Sequence, residues 1–292
     1  MSTSSFIKSL LPPISLPFFR VLRSRIFISF KNIKPPYRSI VSHTYDELDL
    51  KIDNVWESEN WIKHVEKTLI SQFQDSPNIH QSAVIKSILI LSNLYKNSKI
   101  SLYDFGGGCG VLAPHVEKIA KKFSLTISTN IIDSESNIKL GERYLLDFKN
   151  IQFFNHEKYN LTQIMSTSDF DSTIILNMSS VLQYIHPYDE FLSSVLKTKK
   201  PKIVCITRFP RCEDSEIDAF AIQDITSSMG FCGSTIVNLF GKNSLIKIMN
   251  RLGFEILFEE FNSIGDTNYF VQCSDNNFKR MTMVSYTFIA VN

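Results

Sequence analysis

Residues 102 to 122 read LYDFGGGCGVLAPHVEKIAKK, with four glycines in five positions between a short apolar run and a helix-like stretch. Glycine lets a backbone turn tightly and approach a ligand where a Cβ would collide, so the loop is suited to gripping a small molecule. Two common grips fail on spacing. If Gly106 and Gly108 open the dinucleotide fingerprint G-x-G-x-x-G, Val111 stands where the third glycine belongs. No Lys-Ser or Lys-Thr follows the glycines, which excludes the phosphate loop G-x-x-x-x-G-K-[ST]. The pattern that fits is D-x-G-x-G-x-G, made by Asp104, Gly106, Gly108 and Gly110.

Other residues with chemical potential follow at intervals. Asp133 closes the strand-like stretch in NIIDSES, with Glu135 as the second choice for a strand-end carboxylate. Asn155 and His156 follow the apolar IQFF. A dense polar set comes next: Asn177, Ser179, Ser180, Gln183, Tyr184 and His186. Ser179 or Ser180 could instead cap a helix start. His186 is the candidate general base, because histidine alone has an unperturbed pKa near neutrality; the alternative is a loop residue before Pro187. Arg208, after KIVCIT, could hold an anionic molecule bidentately or form a structural ion pair. Tyr184, His186 and Arg208 are thus the catalytic candidates, with Gln223 reaching in from a later segment.

These groups need a scaffold. ISLYDF, LTISTNIID, IQFF, DSTIILNMSS and KIVCITR read as strands. VLAPHVEKIAKKF, ESNIKLGERYLLDF and YDEFLSSVLKT read as the helices between them, with Pro114 tolerated in a first turn. Such alternation predicts an α/β fold with a parallel, doubly wound sheet. KNSLIKIMNRLG then reads as a helix, and FEILFEEF and MVSYTFIAV as two strands with no helix between, which suits a seventh strand inserted antiparallel. Upstream, Trp61, Val65, Leu69 and Phe73 recur every four residues in one helix, and residues 82 to 97 read as a second, more buried one. The expected organisation is an arm over 1–45, a helical cap over 46–97 and the α/β domain over 98–292, with 209–241 as an irregular lid carrying Gly230 and Gly233.

Composition bounds the function. Hydrophobic content of 43% and charged content of 21% are ordinary for a globular protein, and a net charge of +2 implies no nucleic-acid partner. The five cysteines are scattered without metal-ligand spacing, so neither a metal site nor an oxidising compartment is expected. No apolar run approaches the ~18 residues of a membrane span, and a cytoplasmic location is expected. Lys8, Arg20, Arg23, Arg25, Lys31, Lys34 and Arg38 alternate with large apolar residues before the first acid, Asp46. Residues 1–38 could therefore rest on an anionic membrane surface or pack on the protein itself.

From about residue 98 to its end the chain resembles class I S-adenosylmethionine-dependent methyltransferases, on the strength of Asp104, Gly106, Gly108 and Gly110 after the first strand. The resemblance implies a Rossmann-like seven-stranded sheet with S-adenosyl-L-methionine as cofactor. It also implies that Asp104 faces the cofactor's ammonium, Asp133 its ribose hydroxyls and Asn155 its adenine, while Asn177 lines the passage to the methyl group. More closely, IKSLLPP, YRSIVSHTYDEL, DFGGGCG, SSVLQYIHPYDEFL and ITRFP are similar to a bacterial group of methyltransferase-like proteins found with surface-polysaccharide and lipopolysaccharide genes. Cys109 stands at a position that varies in that group. The leading expectation is O-methylation of a sugar in a surface glycan or its precursor. The alternatives are a secondary-metabolite methyltransferase, with a small-molecule acceptor, or a non-catalytic, cofactor-binding partner subunit.

Overall fold

The computed structural model describes residues 37–42, 56, 58–74, 79–95, 98–167, 171–225, 233–261 and 281–291. The arm before residue 37, with its expected membrane contact, lies outside the described residues. The first strand, β1 (Tyr37–Ser42), belongs to a small second sheet. The main sheet holds β2 (Lys99–Phe105), β3 (Ile127–Asp133), β4 (Ile151–Asn155), β5 (Ser172–Ser179), β6 (Ile203–Cys212), β9 (Phe254–Phe261) and β10 (Met281–Ala290). They lie in the order β4-β3-β2-β5-β6-β10-β9. All neighbours from β4 to β6 are parallel, and β10 runs antiparallel to both β6 and β9. This is the doubly wound sheet, with one strand inserted antiparallel, that the βα alternation predicts.

Strand side chains alternate between two apolar layers, as their period of two demands. On one face, Ile100, Leu102, Ile175, Ile203 and Cys205 meet Ala83, Val84, Ile88 and Leu91 of α2 (Ile79–Leu94) and Val116 of α3 (Ala113–Phe123). On the other, Tyr103, Leu176, Met178, Val204 and Ile206 share a core with α5 (Leu161–Ser166), α6 (Tyr188–Thr198) and α7 (Ser244–Arg251). Both faces of the central strands are covered, which is why they read as continuous apolar runs. Burying each such Leu or Ile contributes up to about 1.5–3 kcal/mol before entropy is counted.

Helix α1 (Glu59–Gln74) bears out the four-residue repeat, and Ser58 Oγ accepts the Trp61 amide at its start. Its Leu69 is buried against Cys109 of the glycine loop and Leu140 of α4 (Glu135–Tyr144). Glu66 ties the same two helices together, accepting from the Tyr144 hydroxyl at 3.1 Å and pairing with Arg143 at 3.2 Å.

Three differences from the sequence expectations matter. Helix α4 stops at Tyr144, so LLDF lies beyond it. Helix α5 was not expected, although Asn160 and Gln163 form a reciprocal capping box at its start. Most important, the described residues of 209–241 hold strands. Strand β6 continues to Cys212, and β7 (Ala219–Ile225) and β8 (Gly233–Leu239) pair as antiparallel neighbours. Strand β1 adds to the free side of β7, with Tyr37 opposite Gln223. The inward positions of β7 are the small Ala219 and Ala221, fully buried, so the segment lacks the β-branched signature of a strand.

A candidate cofactor and acceptor site

Parallel strands deliver their carboxyl ends to one side of the sheet, and ligands of such folds bind there. Asp104, next to last in β2, is buried at 3% exposure. Its Oδ1 accepts from Asn177 Nδ2 of neighbouring β5 at 2.7 Å. Burial pushes the Asp104 carboxyl up to about 6, with the Asn177 hydrogen bond opposing and the Asp133 charge adding to the rise. Gly107 lies directly on the other oxygen, where a Cβ would come within 2.6 Å of Oδ2. Asp104 therefore sits beneath the loop and orients the Asn177 amide. Asn177 Oδ1 is left buried with no partner among the described residues.

The alternate glycines do different work. At Gly110 (φ +84°) a Cβ would stand 2.5 Å from Ile131 Cδ1, so this glycine lets the loop pack on β3. At Gly106 the obstruction would be Val181, just beyond β5. Gly108 (φ +59°) is the exception, because a Cβ there would meet nothing within 4 Å. Its left-handed backbone faces open space, and its amide donates to Asp133 Oδ2 at 2.7 Å.

Asp133 knits the loop to β3 and α4. Besides Gly108, its Oδ1 accepts from Ser134 N at 2.8 Å and Asn137 Nδ2 at 2.7 Å. A carboxylate has about four acceptor positions, so one remains on Oδ2. Asn137 Oδ1 next to it is buried and has no partner among the described residues. Sequence reasoning passed over Asn137; its place four residues after a strand-end acid, in the first turn of a helix, was the available signal.

Asn155 has both amide atoms engaged, donating to Glu135 Oε2 at 3.0 Å and accepting from Glu157 N at 2.8 Å. Glu135, the second-choice carboxylate, also pairs with Lys158 at 2.9 Å and Lys139 at 3.0 Å. Those lysines, Lys158 first, hold its carboxyl down at about 2. His156 is exposed.

Beyond β5 the chain crosses the glycine loop through Val181 and enters a single 3-10 turn, Leu182–Tyr184. The small sheet clamps this turn. Asn238 of β8 donates to Ile185 O at 2.7 Å, and Tyr184 packs against the core of Ala219, Ala221, Val237 and Leu239. The Tyr184 hydroxyl donates to Gln223 Oε1 of β7 at 2.9 Å, and the Trp56 ring stands edge-on to it at 5.3 Å. Burial raises the Tyr184 phenol to about 12, with Gln183, Arg208 and Gln223 opposing. His186 is exposed, edge-on to Phe220 of β7 at 4.9 Å. Tyr184 and Gln223 thus meet on the face of β7 that carries Ala219 and Ala221, whereas His186 stands against Phe220, which strand alternation turns to the opposite face.

Ser179 and Ser180 cap no helix. Thr207 Oγ1 donates to Ser179 Oγ at 2.9 Å, and Ser180 N donates to Thr207 O at 2.8 Å, fastening β5 to β6. Thr207 and Arg208 face a single residue of β10, Ser285, in a β-bulge. Arg208 holds the left-handed position of that bulge (φ +56°), and its amide donates to Ser285 Oγ at 3.2 Å.

No protein-family model matches the sequence, and no curated protein does. Among solved structures, the chain is similar to the magnesium protoporphyrin IX methyltransferase of Synechocystis, solved with bound SAM. The two are 12% identical, covering 82% of this chain and 100% of that one at a TM-score of 0.43. It is similar too to the 1,6-didemethyltoxoflavin-N1-methyltransferase of Burkholderia thailandensis, at 12% identity, 84% and 94% coverage and a TM-score of 0.43. The CcbJ methyltransferase of Streptomyces caelestis matches at 9% identity, 78% and 96% coverage and a TM-score of 0.43. At such scores these likenesses add nothing to the strand order, on which the fold rests. The fold is Rossmann-like.

Two orphaned buried carbonyls, a carboxylate with one acceptor position left and open space over Gly108 are what a ligand rich in hydrogen-bond donors requires. S-adenosylmethionine, with an α-ammonium and two ribose hydroxyls, fits that donor set.

Proposed function

We propose that the chain is an S-adenosylmethionine-dependent methyltransferase acting on a hydroxyl of a sugar in a surface glycan or its precursor. The observation that carries the reading is Gly108, left-handed and facing open space among the described residues, in a loop joined to Asp133, with an orphaned asparagine carbonyl held beside each of the two strand-end acids. Asn177 Oδ1, backed by the Asp104 charge, would accept from the cofactor's ammonium. The free position of Asp133 Oδ2 and Asn137 Oδ1 would accept from its ribose hydroxyls. When bound, the cofactor supplies a methyl carbon on a sulfonium, whose leaving group departs as a neutral thioether.

The chain's own residues then handle the acceptor. The 3-10 turn and the small sheet wall off the side beyond Val181, which orients the acceptor and excludes water. Tyr184, held protonated at neutral pH, is not a base, and its one proton is given to Gln223 Oε1. A hydroxyl that gains a methyl group gives up its proton, and a ring nitrogen of His186 is the base assigned to receive it.

Calorimetric titration with S-adenosylhomocysteine tests the reading on the wild type and on Gly108→Arg, whose side chain enters the open space. Binding by the wild type, weakened at least about 100-fold (about 2.7 kcal/mol) in the folded variant, is the expected result. No binding by folded wild type would overturn it.

A further inference from the structure

Two arginines lie three residues apart on β6, and their surroundings differ completely. Arg211 is buried and satisfied, paired with Glu213 at 2.9 Å and Glu259 at 2.7 Å, with the Tyr286 hydroxyl also in contact. Arg208 is exposed and has no carboxylate within ion-pair distance among the described residues. The acids of this edge are spent on Arg211. Among the described residues, no carboxylate therefore accounts for the charge at 208.

Its backbone position sharpens the point. The left-handed place in a β-bulge belongs by sterics to glycine. Here an arginine occupies it, held by the Ser285 hydroxyl, at the carboxyl end of a central strand and beside the Ser179–Thr207 fastening. Strain of this kind persists where the surrounding structure enforces it and gathers at ligand sites. Its neighbour Thr207 is bonded to Ser179, three residues before the 3-10 turn that carries Gln183 and Tyr184, so Arg208 lies on the acceptor side.

A third group adjoins them. Gln183 is 5% exposed, its side chain neighbours the Tyr184 hydroxyl, and its Oε1 has no partner among the described residues. A buried acceptor without a donor costs free energy, and a hydroxyl of a bound molecule would supply that donor. Trp56, edge-on to Tyr184, adds a flat apolar surface.

Resting on the methyltransferase reading, we infer that the acceptor is a hydroxylated anion, its carboxylate or phosphate gripped by Arg208 and a hydroxyl taken by Gln183 Oε1. The fork of a guanidinium matches either anion.

The test is calorimetry at fixed ionic strength, with S-adenosylhomocysteine saturating. The probes are inorganic phosphate, glucose 1-phosphate, glucuronate and neutral glucose, and the proteins are wild type, Arg208→Gln and Arg208→Lys. Glutamine keeps the same backbone strain, so both variants fold as the wild type does, which circular dichroism checks. The expected result is that at least one anion binds wild type about tenfold or more tighter than Arg208→Gln, with Arg208→Lys between and no such gap for glucose. A larger gap for glucuronate names a carboxylate acceptor, and one for the phosphates names a phosphorylated one. Anions that bind wild type and Arg208→Gln alike, or that do not bind wild type, overturn the inference. Titration with S-adenosylhomocysteine alone separates the two readings. Equal binding by wild type and Arg208→Gln keeps the cofactor site whatever the anions do, whereas no binding by either defeats the methyltransferase reading. In that case the anion titrations, run without it, still report on Arg208.

Discussion

The carboxyl ends of β2 and β3 and those of β5 and β6 face the same cleft but are assembled in opposite ways. The first half is mostly local: Asp104, the glycines, Asp133 and Asn137 fall within one stretch of chain, and Asn177 of β5 joins them from afar through its hydrogen bond to Asp104. The second half is gathered from afar, from Trp56, Tyr184, Arg208, Gln223 and Asn238, and its exposed Arg208 and His186 stand at its rim. On the proposed function, the difference would let a compact, hydrogen-bonded loop hold the cofactor while a composite surface chooses the acceptor.

The glycines give the strongest way to break that contrast. Gly110→Ala forces a Cβ against Ile131 and Leu145 from a left-handed backbone, and it is expected to lower stability by about 2–5 kcal/mol. Gly108→Ala carries the left-handed strain alone, about 1–2 kcal/mol. Urea unfolding of both variants decides the matter, and equal losses would remove the distinction between a packing glycine and a ligand-facing one.

A smaller effect concerns Asp104. Its folded pKa of about 6 lies above the ordinary carboxylate value. The folded state thus binds a proton more tightly than the unfolded one, and stability from this group is complete below about pH 4. It is lost as pH rises through about 6. The difference in Tm between wild type and Asp104→Asn is expected to move against the wild type across that window. Affinity for S-adenosylhomocysteine, whose ammonium gains from the ionised carboxylate, should rise over the same window. Parallel rather than opposed trends would show that Asp104 is only a structural acid.

The smallest effect belongs to the acceptor half. Arg208→Gly relieves the bulge and is expected to raise stability by about 0.5–1 kcal/mol, near 2 °C in Tm, with S-adenosylhomocysteine binding unchanged. A fall in Tm on differential scanning would mean that the arginine stabilises the fold after all.

What the sequence made legible follows the same division. The sheet and its antiparallel insertion were readable because each βα unit carries its own apolar period, and Asp104, Gly108 and Asp133 because their spacing is local. The three alternate glycines look equal in the sequence, since only tertiary neighbours tell Gly110 at Ile131 from Gly108 at open space. The small sheet was missed because Ala219 and Ala221 hide its inward face. Arg208's two alternatives could not be separated without Arg211, whose claim on Glu213 and Glu259 depends on β9 and β10 lying beside β6.

Strand β1 is made early in synthesis, yet its partner β7 does not exist until the ribosome has passed residue 225. Strand β10, which lies inside the sheet between β6 and β9 and supplies Ser285 to the bulge, follows all the other described strands in the chain. The glycine loop and the strands that hold it are by then complete. On the ribosome, the strands that carry the glycine loop therefore precede the bulge that holds Arg208, which waits for Ser285.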